Sequence, residues 1–193
     1  MEHKTLNSEQ SIAIITRMLQ NTQNNLQKNA GSYFLLWGYV TLITSLAVYA
    51  ALVATGDWRF NYLWFAIPLA GLPLMFIVRR RIGQPPVRTF VDIAVWKLWI
   101  PLCVALLTFS FLAGGRAMSL VLLLLSIGVA QTGLIIKYRV FIAAGIIGFL
   151  AALSLLFIGG TGQILVFAFF CTVVLIIPGH ILNRKAARHV QRA

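Results

Sequence analysis

Charged residues are scarce in this sequence. Only 10% of the 193 residues are charged, and only four are acidic, whereas a soluble domain carries about 25% charged residues. Hydrophobic residues make up 60% of the chain, and its mean hydropathy is +0.87. Too few charges remain to cover a water-facing surface. The composition therefore excludes an ordinary soluble domain and indicates an integral membrane protein.

The scarcity of acidic residues, histidine and cysteine also excludes most catalytic and metal sites. The three histidines and two cysteines are not grouped at the spacing of metal ligands. Asp92 has a structural explanation, because TFVD at 89–92 is a capping-box pattern that opens a helix. With no carboxylate pair inside an apolar segment, acid–base catalysis has no carrier. We expect no enzymatic activity, no cofactor and no metal site.

Long apolar runs dominate the rest of the chain. About 20 residues cross a bilayer core of roughly 30 Å as a helix, and six segments meet that length: 33–54, 61–79, 90–113, 117–136, 139–158 and 163–182. Basic ends close every second segment, as in FIVRRR at 76–81 and LIIKYR at 134–139. Gly56, Gly114 and Gly159 take the turns at the other end. The sequence predicts an all-α integral membrane protein with six transmembrane helices in three tandem hairpins.

Lys and Arg predict the orientation of this bundle. All but three of the 16 lie in the N-terminal segment, the second and fourth connections and the C-terminal tail. By the positive-inside rule both termini are cytoplasmic, in a multi-pass protein of a bacterial inner membrane. We expect anionic headgroups to be met by Arg79, Arg80, Arg81, Arg184, Arg188 and Arg192. Because topology explains the net charge of +12, we expect no nucleic-acid partner.

The N-terminal segment is predicted to be a cytoplasmic amphipathic helix. Between residues 7 and 29 one apolar stripe recurs at helical spacing, formed by Ile12, Ile15, Leu19 and Leu26. One interpretation is a helix lying on the surface of its own bundle. The other is a docking face for a partner protein or a second copy of the chain. The predicted division is residues 1–30 for this helix, 31–182 for the bundle and 183–193 for a basic tail.

A few residues depart from the apolar pattern of the spans. PLAGLP at 68–73 places Pro68, Gly71 and Pro73 near the middle of the second span, and Pro101 falls at similar depth in the third. These residues indicate either an ordinary kink or an opened backbone such as transporters use. Lys97 either snorkels to the headgroups or faces the interior, where Gln131 is the expected polar neighbour.

Small residues on the fifth segment predict close helix packing. Ala144, Gly148 and Ala152 recur every four residues, which lets backbones approach each other. We interpret this stripe as internal packing, with a subunit contact as the alternative.

Two functions remain open at this point. The first is a regulatory or scaffolding membrane protein that acts through its N-terminal helix. The alternative is a small permease or channel for a small solute or anion, with its site near the second and third spans. The near absence of acidic residues from the spans favours the first.

Overall fold

The protein is described here from a computed structural model that covers residues 8–82 and 90–190, with side chains for Ile12, residues 31–81 and residues 93–184. This part of the chain is helical almost throughout and contains no strand. The α-helices are α1 Ser8–Thr55, α2 Ala66–Ile82, α3 Phe90–Leu112, α4 Ala117–Ile135, α5 Arg139–Leu155, α6 Gly162–Cys171 and α7 Ile177–Val190. Two 3-10 helices, Trp58–Phe65 and Gly114–Arg116, and one π-helix, Thr172–Ile176, complete the set.

The apolar helices are those of a membrane-embedded protein. Within the described residues, five stretches are long and apolar enough to cross a bilayer: Gly31–Thr55, Trp58–Arg81, Ile93–Leu112, Gly114–Ile135 and Gly162–Arg184. The all-helical class is thereby confirmed. The predicted segment 139–158 forms a shorter apolar helix, α5, of 17 residues. It ends early because the amides of Leu156, Phe157 and Ile158 bond to carbonyls three residues back, which tightens the chain into single turns.

Glycines with positive φ form the turns at one end of the bundle. Gly56 and Gly114 have φ of 69° and 52°, values that strain residues with a Cβ atom. The third turn contains Gly159 as predicted, and its positive φ, 73°, belongs to the neighbouring Gly160. Adjacent glycines are indistinguishable in the sequence, and only the local hydrogen bonding selects one of them.

The helices divide into a buried core and a periphery. α4 packs along α5, and the last helical segment, made of α6, the π-helix and α7, packs against α1, α4 and α5. α2 packs on α1, whereas α3 packs on α4. One core cluster contains Phe34, Val129, Phe141, Val174 and Leu175, and the second contains Leu122, Ala152, Leu155, Phe167 and Cys171.

The small-residue stripe of α5 faces this core, as the internal interpretation predicts. Ala144, Gly148 and Ala152 are all buried. A Cβ atom on Gly148 would overlap Ser126 of α4 and lie 2.6 Å from Val174. Next to Ala152, the Ser119 hydroxyl of α4 donates to its carbonyl at 2.6 Å. The stripe therefore joins α5 to α4 and to the last segment.

The π-helix places three consecutive side chains in the core. Val174, Leu175 and Ile176 are all buried. Pro178 lies two residues later and has no N–H to bond to the Val174 carbonyl, and the wider turn accommodates this loss. Gly38 of α1 packs directly against the π-helix, because a Cβ atom on Gly38 would lie 2.7 Å from Ile176.

Candidate functional site

Basic residues gather at one end of the bundle, where Gly31, Tyr138 and Asn183 also lie; we call it the basic end. The described cations there are Arg79, Arg80, Arg81, Lys137, Arg139 and Arg184, all exposed except Arg79, which is half-buried. Arg59 and Arg116 lie at the opposite end. Of the predicted headgroup-facing residues, Arg188 and Arg192 fall outside the described side chains.

The first span meets the last one at this end through glycines. Around Gly31 and Gly179 the backbones of α1 and α7 come close: a Cβ on Gly31 would lie 3.1 Å from the Gly179 carbonyl, and one on Gly179 would lie 3.2 Å from the Gly31 carbonyl. Gly38 continues the contact one heptad later, against Leu175 and Ile176. We call this contact the α1–α7 seam. Its signal in the sequence is small residues at 31, 38 and 45, which sequence reasoning missed.

Aromatic side chains hold the base of α1 in place beside the seam. Phe34 is buried, and its ring lies edge-on to Trp99 of α3 at 5.8 Å and to Phe141 of α5 at 4.7 Å between centroids. The Trp99 indole N–H in turn donates to Thr132 of α4 at 3.1 Å. α1 is therefore fixed at the basic end by contacts with α3 and α5 as well as α7.

Two polar pairs cross the α1–α7 seam, and both were missed because their members are more than 140 residues apart. The Tyr39 hydroxyl and His180 Nε2 share a hydrogen bond of 2.8 Å. The Asn183 amide donates to the Ser32 hydroxyl at 3.5 Å. The Asn183 Oδ1 atom is buried against Gly31 and has no hydrogen-bond partner in the described part of the chain.

The predicted partner-binding face lies on the part of α1 before the seam. The backbone there is helical from Ser8, with no break before Thr55, so the predicted boundary at residue 30 does not interrupt the helix. Ile12 is 64% exposed. The side chains of Ile15, Leu19 and Leu26 lie outside the described set, and so does that of Asp92 in its predicted capping position.

Lys97 and Gln131 are both exposed and do not meet. Val95 and Trp99 pack towards the core, and Lys97 is two residues, or about 200°, from each, so it points away from the bundle. Gln131 is exposed on α4 beside the buried Thr132. Neither side chain forms a hydrogen bond or ion pair with another described residue. The snorkelling interpretation of Lys97 stays a prediction.

The prolines do not interrupt the helices that contain them. α2 is helical from Ala66 to Ile82 and follows the 3-10 helix Trp58–Phe65 directly, so Pro68 does not break the helix. Pro73 and, in α3, Pro101 lie within continuous helices. Gly71 has a packing role, because a Cβ there would overlap the Trp37 ring of α1.

Buried polar groups inside the bundle satisfy its own backbone. The hydroxyls of Ser45, Ser126 and Thr132 each donate to the carbonyl four residues back in the same helix. Gln163 donates to the Leu155 carbonyl at 3.1 Å. Among the described residues no group of three His, Cys, Asp or Glu side chains is placed to hold a metal ion.

The fold and these contacts together define an all-helical, membrane-embedded protein with a glycine-packed core. Comparison of the chain with known protein families, with curated proteins and with solved structures found no match.

Proposed function

We propose that the chain is a six-span protein of a bacterial inner membrane, with both termini in the cytoplasm, that scaffolds or regulates a partner through its N-terminal helix. The grouping of described cations at the basic end supports this orientation. α5 rises about 25 Å over its 17 residues. The single turns up to Ile158 add about 6 Å, which supports a sixth span.

The observation that carries the function is the continuity of α1. This helix has 48 residues, and the candidate span within it runs from Gly31 to Thr55. The 23 residues from Ser8 to Ala30 extend it by about 35 Å. We call this extension the arm. Glycine contacts and the Phe34 ring hold its base against the bundle, and the sequence of the arm carries the predicted stripe of Ile12, Ile15, Leu19 and Leu26. An amphipathic helix held in this way suits docking into an apolar groove of a partner.

A permease receives less support from the same geometry. The closed backbone of α2, the outward position of Lys97 and the exposed position of Gln131 leave the predicted transport residues without a shared interior site. The hydroxyls of Ser45, Ser126 and Thr132 are already bonded to their own helices. We therefore place the function on the arm and propose no catalytic activity.

The experiment compares two matched variants of the full chain during purification from native membranes. Ile15→Ser with Leu19→Ser removes the apolar stripe, whereas Asn21→Ser with Asn24→Ser changes the opposite face. We expect one co-purifying protein to be lost with the first variant, and with deletion of residues 1–30, but retained with the second. Equal retention by all variants, together with solute flux in liposomes, would reject the scaffold in favour of the permease.

A further inference from the structure

The Tyr39–His180 pair presents a spare hydrogen-bond donor on the outer face of the α1–α7 seam. Both side chains are exposed, and their only hydrogen bond within the described residues is the one that they share. If the Tyr39 hydroxyl donates to Nε2, the His180 ring keeps an N–H on Nδ1. If Nε2 donates, the Tyr39 hydroxyl keeps its own hydrogen. In either arrangement one donor remains for a ligand.

Arg184 adds a cation to the same face. It lies four residues after His180 on α7, about 6 Å along the axis and about 40° around it. Arg184 is exposed, and its guanidinium forms no hydrogen bond or ion pair with a described residue. Five guanidinium donors and one ring or hydroxyl donor therefore face outwards within two turns of helix, a set that matches the acceptor oxygens of a phosphate group.

An exposed apolar surface continues from this pair towards the middle of the membrane. Ile43 lies one turn deeper than Tyr39 on α1 and is 65% exposed, and Ile177 lies one turn deeper than His180 and is 48% exposed. The seam thus changes along its length from a cation through a polar pair to aliphatic side chains. A phospholipid has a matching order, with its charged phosphate at one end and its acyl chains at the other.

We propose that the face formed by Tyr39, His180, Arg184, Ile43 and Ile177 is a binding site for one anionic phospholipid. The phosphate accepts hydrogen bonds from Arg184 and from the spare donor of the Tyr39–His180 pair, and an acyl chain covers Ile43 and Ile177. The positive charge of the site favours an anionic ligand. The site holds a cation, and no described Asp or Glu lies near it, since Asp57 belongs to the opposite end. A protein partner would have to displace lipid from Ile43 and Ile177 within the span.

Native mass spectrometry of the full chain in detergent tests this site, with phosphatidylglycerol and phosphatidylcholine as the titrated lipids. We expect phosphatidylglycerol to bind at least about tenfold more tightly, because the choline cation of phosphatidylcholine opposes the attraction between its phosphate and Arg184. Arg184→Gln should reduce the affinity for phosphatidylglycerol by about tenfold, and Tyr39→Phe by about threefold. Arg116→Gln, an exposed arginine at the opposite end, is the matched control and should change nothing.

Inorganic phosphate added as a competitor distinguishes a lipid from a free anion. We expect millimolar phosphate to leave the bound phosphatidylglycerol in place, because the acyl chain contributes to its binding. Displacement by phosphate would show an anion site and overturn the lipid proposal. Equal effects of Arg184→Gln and Arg116→Gln, or equal binding of the two lipids, would also overturn it. Thermal unfolding of each variant checks that it is folded. If Arg184→Gln fails to fold, Tyr39→Phe still tests the site, because it keeps the aromatic ring in place.

Discussion

The last helical segment and α3 are both apolar enough to cross a membrane, but they are packed in opposite ways. Half of the most apolar 18-residue stretch of Gly162–Arg184 is buried against other helices, whereas none of the corresponding stretch of Ile93–Leu112 is. Hydrophobicity therefore does not decide which helix lies inside, because lipid is as apolar as the core. The contacts around α4 show how the two kinds of packing differ.

Gly145, at the contact of α5 with α4, faces backbone atoms, whereas Gly128, at the contact of α4 with α3, faces side chains. A Cβ on Gly145 of α5 would lie 2.8 Å from both the Ala130 amide nitrogen and the Ser126 carbonyl oxygen of α4. By contrast, a Cβ on Gly128 would meet the tips of Leu102 and Trp99 of α3, at 2.9 and 3.1 Å. Side-chain tips can move aside but paired backbones cannot. Small residues thus pack α4 against α5. α2 and α3 instead contact a neighbouring helix through a tryptophan ring, Trp37 of α1 on Gly71 and Trp99 of α3 on Gly128.

The largest effect is expected at Gly145. We predict that Gly145→Ala lowers the free energy of unfolding by about 3 kcal/mol, because the new methyl group forces two backbones apart. Gly128→Ala should cost about 1 kcal/mol, since Leu102 and Trp99 can rearrange. Gly115→Ala is the control, because a Cβ there has no neighbour within 4 Å. Unfolding by SDS titration in mixed micelles measures all three, and equal losses at Gly145 and Gly128 would contradict the division into core and periphery.

The next largest losses of stability are expected at two tryptophans. Trp37→Ala and Trp99→Ala each remove the main side chain that covers a glycine of a neighbouring helix. We expect a loss of about 2 kcal/mol in each case, below the 3–5 kcal/mol typical of a fully buried aromatic ring, because both rings are only half-buried. Trp58→Ala, at a side chain that is 65% exposed, should cost under about 0.5 kcal/mol. The same SDS titration applies, and a comparable loss at Trp58 would remove the special role of the two rings.

Hydrogen bonds between helices should contribute less than packing. Ser119→Ala removes the bond from α4 to the Ala152 carbonyl of α5, and we expect it to cost about 0.6 kcal/mol, the average for such bonds in membranes. Ser110→Ala, which removes a bond within α3 to the Leu106 carbonyl, should be neutral. A larger loss for Ser110→Ala would mean that the hydroxyls act through helix bending instead.

The smallest effect is expected at Lys97. Lys97→Met should leave folding and membrane insertion intact, since it removes a cation that costs less near the interface than at mid-membrane and that pairs with no described group. Expression level, SDS titration and liposome flux measure the outcome. Loss of folded protein would reveal a partner of the ammonium group, and loss of solute flux would support the permease.

Composition and turn residues were enough to predict the helical class and most helix limits. α3 and α4, for example, begin where predicted and end one residue early. The π-helix was not predictable, because nothing in TVVLI distinguishes a wide turn from a regular one. The Tyr39–His180 pair and the α1–α7 seam depend on contacts between residues that are far apart in the sequence, which periodicity does not report. The small-residue stripe of α5 was predictable because its spacing alone implies close packing.

The arm continues the first span as one straight helix. The distance between two labels on α1 tests this continuity. Spin labels at Ile12→Cys and Ile43→Cys, both exposed positions of α1, are placed in a chain with Cys103→Ser and Cys171→Ala, which removes its two free cysteines. Double electron–electron resonance in nanodiscs then measures their separation. A straight helix of 31 residues between the labels predicts about 46 Å. A bend at Gly31 that lays the arm on the surface of its own bundle would give about 33 Å, and that result would contradict the account.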